Sequence, residues 1–100
     1  MNKDYPELQQ FLAGYFNQDW VDDHKSANEV IDFFISESSE DTIATVLLEL
    51  EKLVSAKKTE QDLQEFLLSD IGCYYYYPNE WNDGKTWLNH VALALKNAIK

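Results

Sequence analysis

The chain has 100 residues, of which 45% are hydrophobic and 26% are charged, with only three glycines and two prolines. This composition excludes a disordered or collagen-like chain, so we expect one globular domain over residues 1–100. Eighteen acidic residues against eight lysines, with no arginine, give a formal net charge of -10. Because a phosphate backbone would repel such a chain, the charge argues strongly against a nucleic-acid-binding protein.

The cysteine count and the N-terminal stretch bear on the compartment. Cys73 is the single cysteine, so the sequence offers no intrachain disulfide and no cysteine pair for a metal, as is typical of a reducing compartment. The N-terminus has no basic segment followed by an apolar one, and no window approaches the apolar length of a membrane span. We therefore expect a soluble intracellular protein.

Helical periodicity dominates the first third of the chain. Pro6 suits the first turn of a helix, and apolar residues at helical spacing follow it to about Phe16. Residues 17–25 are polar and aperiodic, which predicts a connecting loop. Ser26, with Glu29 three residues later, has the form of a capping box and predicts the start of a second helix. The apolar face of this helix is predicted to consist of Val30, Ile31, Phe33 and Phe34.

Two further helices are predicted in the middle of the chain. Ser38 or Ser39 is suited to cap the third helix, which has the strongest apolar periodicity in the sequence. The lysines at 57–58 would close it, because cations are favoured at a helix C-terminus. Thr59 marks the start of a short fourth helix, which we expect to stop near Gly72.

The last quarter of the chain combines a connector with a final helix. Tyr74 to Tyr77, followed by Pro78, is strand-like but has no partner run, so we expect an extended connector. The turn at 82–84 precedes an amphipathic helix that runs to the C-terminus. The predicted fold class is all-α, a single-domain bundle of about five short helices with an extended tyrosine-rich connector. The predicted core consists of Leu8, Phe11, Leu12, Phe16, Trp20, Ile31, Phe34, Val46, Leu47, Leu50, Leu53, Phe66, Leu67, Trp87, Leu88, Val91 and Leu95.

Candidate metal and nucleophile sites are weak in this sequence. Asp19, Asp22, Asp23 and His24 lie close together, but they lack the His and Cys spacing of zinc sites and the pattern of a calcium loop. We therefore expect no metal and no cofactor, and a metal-dependent hydrolase using this loop is only an alternative. Both histidines are expected on the surface. Cys73 lacks a recognisable signature for a nucleophile and is expected to be a small core residue.

The distribution of charge is more informative. Residues 1–50 carry a formal net charge of -9 and residues 51–100 carry -1. Between positions 19 and 41, eight acidic residues face Lys25 alone. Such a patch would steer a basic partner toward the protein, although a solvated face that merely maintains solubility is the competing interpretation.

The tyrosine run allows two interpretations as well. Alternate side chains of an extended segment point in opposite directions, so two tyrosines would enter the core and two would face outward. Outward tyrosines are good interface anchors, whereas simple core packing would explain the whole run equally well.

The opening stretch from Tyr5 to Trp20 resembles a known family. Tyr-Pro-x-Leu, then Tyr-Phe, then Gln-Asp-Trp is similar to the start of small bacterial immunity proteins of contact-dependent growth inhibition systems. Weaker similarity covers Ser26 to Phe34, the Leu-Glu-Leu around Glu49, and Tyr77 to Leu88. Many relatives have His where this chain has Asn17, which argues against histidine chemistry at that position.

The resemblance implies an all-α protein that binds the C-terminal toxin domain delivered by a neighbouring cell. It would block that toxin in the cytoplasm without catalysis, by covering its active site or an exosite. Such toxins are often nucleases and therefore basic. A carboxylate-rich surface suits a basic nucleic-acid groove. The alternative is an acidic nucleic-acid mimic that inhibits a DNA-processing enzyme.

The candidate toxin-binding residues are acids of the patch together with three aromatic anchors. In the family motif, Trp20 is expected to close the bundle, and Asp19 is expected to cap a helix or bond a backbone amide. The candidate toxin-binding residues are Asp22, Asp23, Glu29, Asp32, Glu37, Glu40, Asp41, Tyr75, Tyr77 and Trp81.

Overall fold

The computed structural model describes residues 3–99, and within this range it contains helices and no strand. The helices are α1 (Pro6–Tyr15), α2 (Trp20–Asp23), α3 (Ala27–Glu37), α4 (Glu40–Ser55), α5 (Glu60–Glu65) and α6 (Gly84–Ala98). α5 continues directly into a π-helical stretch (Phe66–Ile71), and a short 3-10 turn (Tyr77–Asn79) lies in the connector. The predicted all-α class is confirmed.

Local capping explains where most of the helices begin. At four helix starts a side-chain oxygen accepts a hydrogen bond from the backbone amide three residues later, which satisfies an amide that the helix itself leaves unpaired. The four capping residues are Ser26, Ser39, Thr59 and Asp83. The chain leaves the π-helical stretch at Gly72, whose φ of 85° lies in the left-handed region that favours glycine. α4 ends at Ser55, so the prediction that lysines 57–58 close it is wrong.

The core lies between α1, α4 and α6. α4 and α6 pack against each other, α1 packs across α4, and α3 covers the side formed by α1 and α6. Of the predicted core residues, all are buried except Trp20, which is half-buried. Its indole packs edge-on against Phe16 and Tyr75, with ring centroids 5.6 and 5.7 Å apart, so it closes the bundle as expected.

The prediction of a continuous loop over residues 17–25 is wrong, because the structure places α2 inside it. Asn17 organises this turn: its side-chain amide donates to the Gly14 carbonyl, and its Oδ1 accepts from the backbone N–H of Asp19. Asp19 stands at the N-cap of α2, but its carboxylate makes no cap hydrogen bond, so its predicted capping role is wrong. The asparagine at the position that departs from the family pattern performs that structural task.

Two glycines provide a matched test of the packing around α6. A Cβ at Gly84 would lie 2.8 Å from Leu63 Cδ2 and 3.1 Å from the Tyr77 ring, whereas a Cβ at Gly14 would meet nothing within 4 Å. We therefore expect Gly84→Ala to lower the free energy of unfolding by roughly 1–3 kcal/mol through overpacking. Gly14→Ala should raise it by roughly 0.5–1 kcal/mol through helix propensity. Urea unfolding followed by circular dichroism checks both, and a stabilising Gly84→Ala would contradict the close packing.

Candidate functional site

The seven acidic residues predicted to bind a partner are all exposed, and they occupy three consecutive helices. Asp22 and Asp23 belong to α2, three lie on α3, and Glu40 and Asp41 form the first turn of α4. The three on α3 are Glu29, Asp32 and Glu37. In the part of the chain that the structure describes, no lysine lies within 4 Å of any of the seven carboxylates. Within the described residues, the one cationic side chain at ion-pair distance from any of the seven is His24, which lies 3.5 Å from Glu29 and carries charge only when protonated.

α3 presents its acids outward because its apolar residues fix the opposite face. Val30, Ile31 and Phe34 are almost completely buried. At 100° per residue, this arrangement turns Glu29, Asp32 and positions 33, 36 and 37 toward solvent. The acids on α3 thus share one face instead of being scattered around the helix.

Phe33 lies in the middle of this outward face and is 43% exposed. The prediction that it belongs to the apolar face of its helix is therefore wrong, because its direction differs by about 100° from that of its buried neighbour Phe34. Its ring contacts the ring of His24 at 5.2 Å and the ring of Tyr15 at 6.0 Å. Two aromatic groups from outside α3 therefore contact it.

Tyr15 and His24 also contact the two glutamates that lie one helical turn from Phe33. The Tyr15 hydroxyl donates to Glu37 Oε1 at 2.9 Å, and His24 Nδ1 lies 3.5 Å from Glu29 Oε1. Burial first, and then the hydrogen bond to Glu37, raises the pKa of Tyr15, so its hydroxyl remains a donor at neutral pH. We call Tyr15, His24, Glu29, Asp32, Phe33 and Glu37 the α3 face.

His24 was expected to be an exposed loop residue, and the structure corrects this. Its side chain is only 16% exposed, because it packs between Phe33 and the start of α3. Sequence reasoning missed Phe33, Tyr15 and His24 as members of one surface. A helical wheel centred on Val30 and Phe34 would have placed Phe33 outside the buried face.

The side chains of the tyrosine connector alternate between core and solvent as predicted. The two tyrosines proposed as outward anchors, however, are the two that point into the core. Tyr75 and Tyr77 are 7% and 2% exposed, whereas Tyr74 and Tyr76 are 52% and 55% exposed. The prediction that Tyr75 and Tyr77 face outward as anchors is therefore wrong. The physical reason is that their rings pack against Trp87, with centroids 4.9 and 5.9 Å away.

The two buried hydroxyls are hydrogen-bonded to carboxylates. Tyr75 donates to Glu80 and Tyr77 donates to Glu60, both at 2.6 Å. Burial, followed by these hydrogen bonds, raises the pKa of both tyrosines. Glu60 also accepts from the backbone amide of Gly84. These bonds tie the connector to α5 and to the start of α6.

Trp81 is half-buried against Tyr75 and His90. Its indole N–H donates to the Tyr75 hydroxyl at 3.1 Å, and its ring lies 4.9 Å from that of His90. His90 Nε2 in turn lies 2.7 Å from Asn28 Oδ1. His90 therefore contacts both Trp81 and α3, whereas no ring contact or hydrogen bond in the described structure joins Trp81 to α3 itself.

The described residues offer little for metal or nucleophilic chemistry. Within residues 3–99, no three His, Cys, Asp or Glu side chains are grouped so that they could hold a metal ion. Cys73 is buried, and its burial raises the pKa of the thiol to about 12, so it stays protonated and unreactive at neutral pH. Among the helices of the described range, none is long and apolar enough to cross a membrane.

Comparison with known proteins agrees with this helical architecture. Residues 4–95 match the model of the CdiI immunity protein family. The structure is similar to a chain in the crystal structure of a CdiA-CT/CdiI complex from Y. kristensenii 33638, with a TM-score of 0.90 and 30% sequence identity. The similarity covers 96% of this chain and 97% of that one. No curated protein matches the chain. The resemblance seen in the sequence is confirmed, and the chain belongs to the CdiI immunity protein family.

Proposed function

We propose that this protein binds the C-terminal toxin domain of its cognate CdiA and neutralises it in the cytoplasm by occlusion, without catalysis. The observation that carries the proposal is the α3 face, where carboxylates without a lysine partner in the described structure surround an exposed aromatic ring. The similar chain belongs to a CdiA-CT/CdiI complex, which supports a toxin domain as the partner. The negative charge of this surface favours a basic partner.

A nuclease is the class of toxin that such a surface fits best. A nuclease must attract a phosphate backbone, so the groove around its active site carries positive charge. The carboxylates of α2 and α3 would be attracted to that groove and would exclude nucleic acid by charge and by volume. The proposed mechanism is therefore occlusion of the active site or of an adjacent exosite.

The mechanism is tested with the purified toxin domain encoded beside this chain. Cleavage of nucleic acid is measured while the immunity protein is titrated against a fixed toxin concentration. We expect cleavage to fall in proportion to the added protein. Unchanged cleavage at a large excess of folded protein would contradict the proposal. A toxin domain that cleaves no nucleic acid would refute the assignment as a nuclease.

A second experiment measures whether the protein protects growing cells from the toxin domain. Expression of the toxin domain alone should arrest growth, and co-expression of the wild-type chain should restore it. An unrelated protein expressed at the same level provides the control. Equal growth arrest with the immunity protein and with the control would contradict the proposed neutralisation.

A further inference from the structure

Phe33 lies outside the core, on the side of α3 that faces solvent, where its ring contacts only Tyr15 and His24 among the aromatic rings of the described residues. The buried side of α3 is already filled by Val30, Ile31 and Phe34, which are at most 4% exposed. Removing Phe33 would therefore leave no cavity in the core. An aromatic side chain that is 43% exposed and surrounded by acids resembles the arrangement of interface hot spots, in which an apolar anchor lies inside a polar rim.

The ring is also held in place before any partner arrives. The ring of Tyr15, at the end of α1, contacts it edge-on with centroids 6.0 Å apart. The ring of His24, just after α2, contacts it with centroids 5.2 Å apart. Because these two contacts already hold the ring in the free protein, we expect less side-chain entropy to be lost when a partner covers it. Such preorganisation is what a tight binding site requires.

The chemistry around the ring defines what would cover it. Glu29 and Glu37 lie one turn before and one turn after Phe33, and Asp32 is adjacent. In the described structure, Tyr15 and His24 engage one oxygen each of Glu37 and Glu29, and both of these glutamates are exposed. Lysine and arginine side chains would bond these carboxylates while their aliphatic stems or cationic heads lie on the ring.

The geometry points to Phe33 as the apolar anchor of the interface, inserted into a shallow apolar pocket of the toxin whose rim carries lysine or arginine side chains. This inference rests on the proposed function and specifies the chemistry of the partner. The acids accelerate the encounter and the ring slows dissociation. The two contributions therefore separate kinetically.

Binding kinetics with the purified toxin domain test this assignment. We expect Phe33→Ala to raise the dissociation rate constant by roughly tenfold to a hundredfold, while the association rate constant stays within about twofold of wild type. Leu48→Ala is the matched control, because Leu48 is 68% exposed on α4 and lies outside the α3 face. Both of its rate constants should remain within about twofold of wild type.

A second variant keeps the test decisive if the alanine variant is poorly folded. Phe33→Gln places a good helix former at an exposed helical position, and it should raise the dissociation rate as much as Phe33→Ala does. Unchanged dissociation of either folded variant from a toxin that wild type binds would overturn the anchor and leave the proposed function intact. A toxin domain that wild type does not bind at all would instead overturn the proposed function, and the anchor with it.

Discussion

Reversal of Asp22, Asp23 and Asp32 to Lys is expected to slow association with the toxin domain by between about tenfold and a thousandfold at low ionic strength. All three side chains are exposed, and no hydrogen bond of theirs stabilises the fold in the described structure. The effect should therefore come from the loss of electrostatic steering. Stopped-flow measurements at several salt concentrations check it, because steering weakens as salt screens the charges.

The control for this experiment changes the net charge equally but at another place. Reversal of Asp62, Glu65 and Asp70, which are exposed acids of α5 and the π-helical stretch, also brings the formal net charge from -10 to -4. If only the net charge of the protein mattered, both variants would slow association equally. Steering by α2 and α3 instead predicts that only the first variant associates slowly. Equal slowing in both would contradict a steering role for α2 and α3.

The sequence predicted those parts of the fold that depend on neighbouring residues. Ser26, Ser39 and Thr59, which the sequence marked as helix starts, cap their helices through bonds that span only three residues. The core positions followed from helical periodicity over one or two turns. Such signals lie within one element, so a single sequence contains them.

The candidate surface was less predictable because it depends on packing between distant elements. Tyr15 and Phe33 are 18 positions apart, and they meet only because α1 and α3 pack together. Alternation in the tyrosine run was visible in the sequence, but its phase depends on tertiary contacts. The amide of Tyr74 bonds the carbonyl of Phe16, and this bond helps to orient the connector.

Trp87→Ala is expected to lower the free energy of unfolding by about 3–5 kcal/mol, the loss typical of a large buried aromatic side chain. Trp87 is fully buried, and its ring lies 5.9 Å from Phe16, 4.9 Å from Tyr75 and 5.9 Å from Tyr77. It therefore joins α1, the connector and α6. Since domains of this size are stable by only about 5–15 kcal/mol, the variant should be close to unfolding.

Two further tryptophan variants calibrate this prediction in the same urea titration. Trp81→Ala removes the same side chain from a half-buried position and should cost no more than about half as much. Trp87→Phe should also cost less, because it removes an indole N–H that has no hydrogen-bond partner among the described residues. Equal losses for Trp81→Ala and Trp87→Ala would contradict the central position of Trp87.

Carboxylate footprinting shows whether the toxin domain covers the acidic surface of α2 and α3. Labelling of exposed Asp and Glu side chains is measured by mass spectrometry with and without the toxin domain. We expect the toxin domain to reduce labelling on α2 and α3 and to leave Glu65 and Asp70 unchanged; the protected residues would be Asp22, Asp23, Glu29, Asp32 and Glu37. Protection of Glu65 and Asp70, with the α2 and α3 acids labelled as in the free protein, would contradict this expectation.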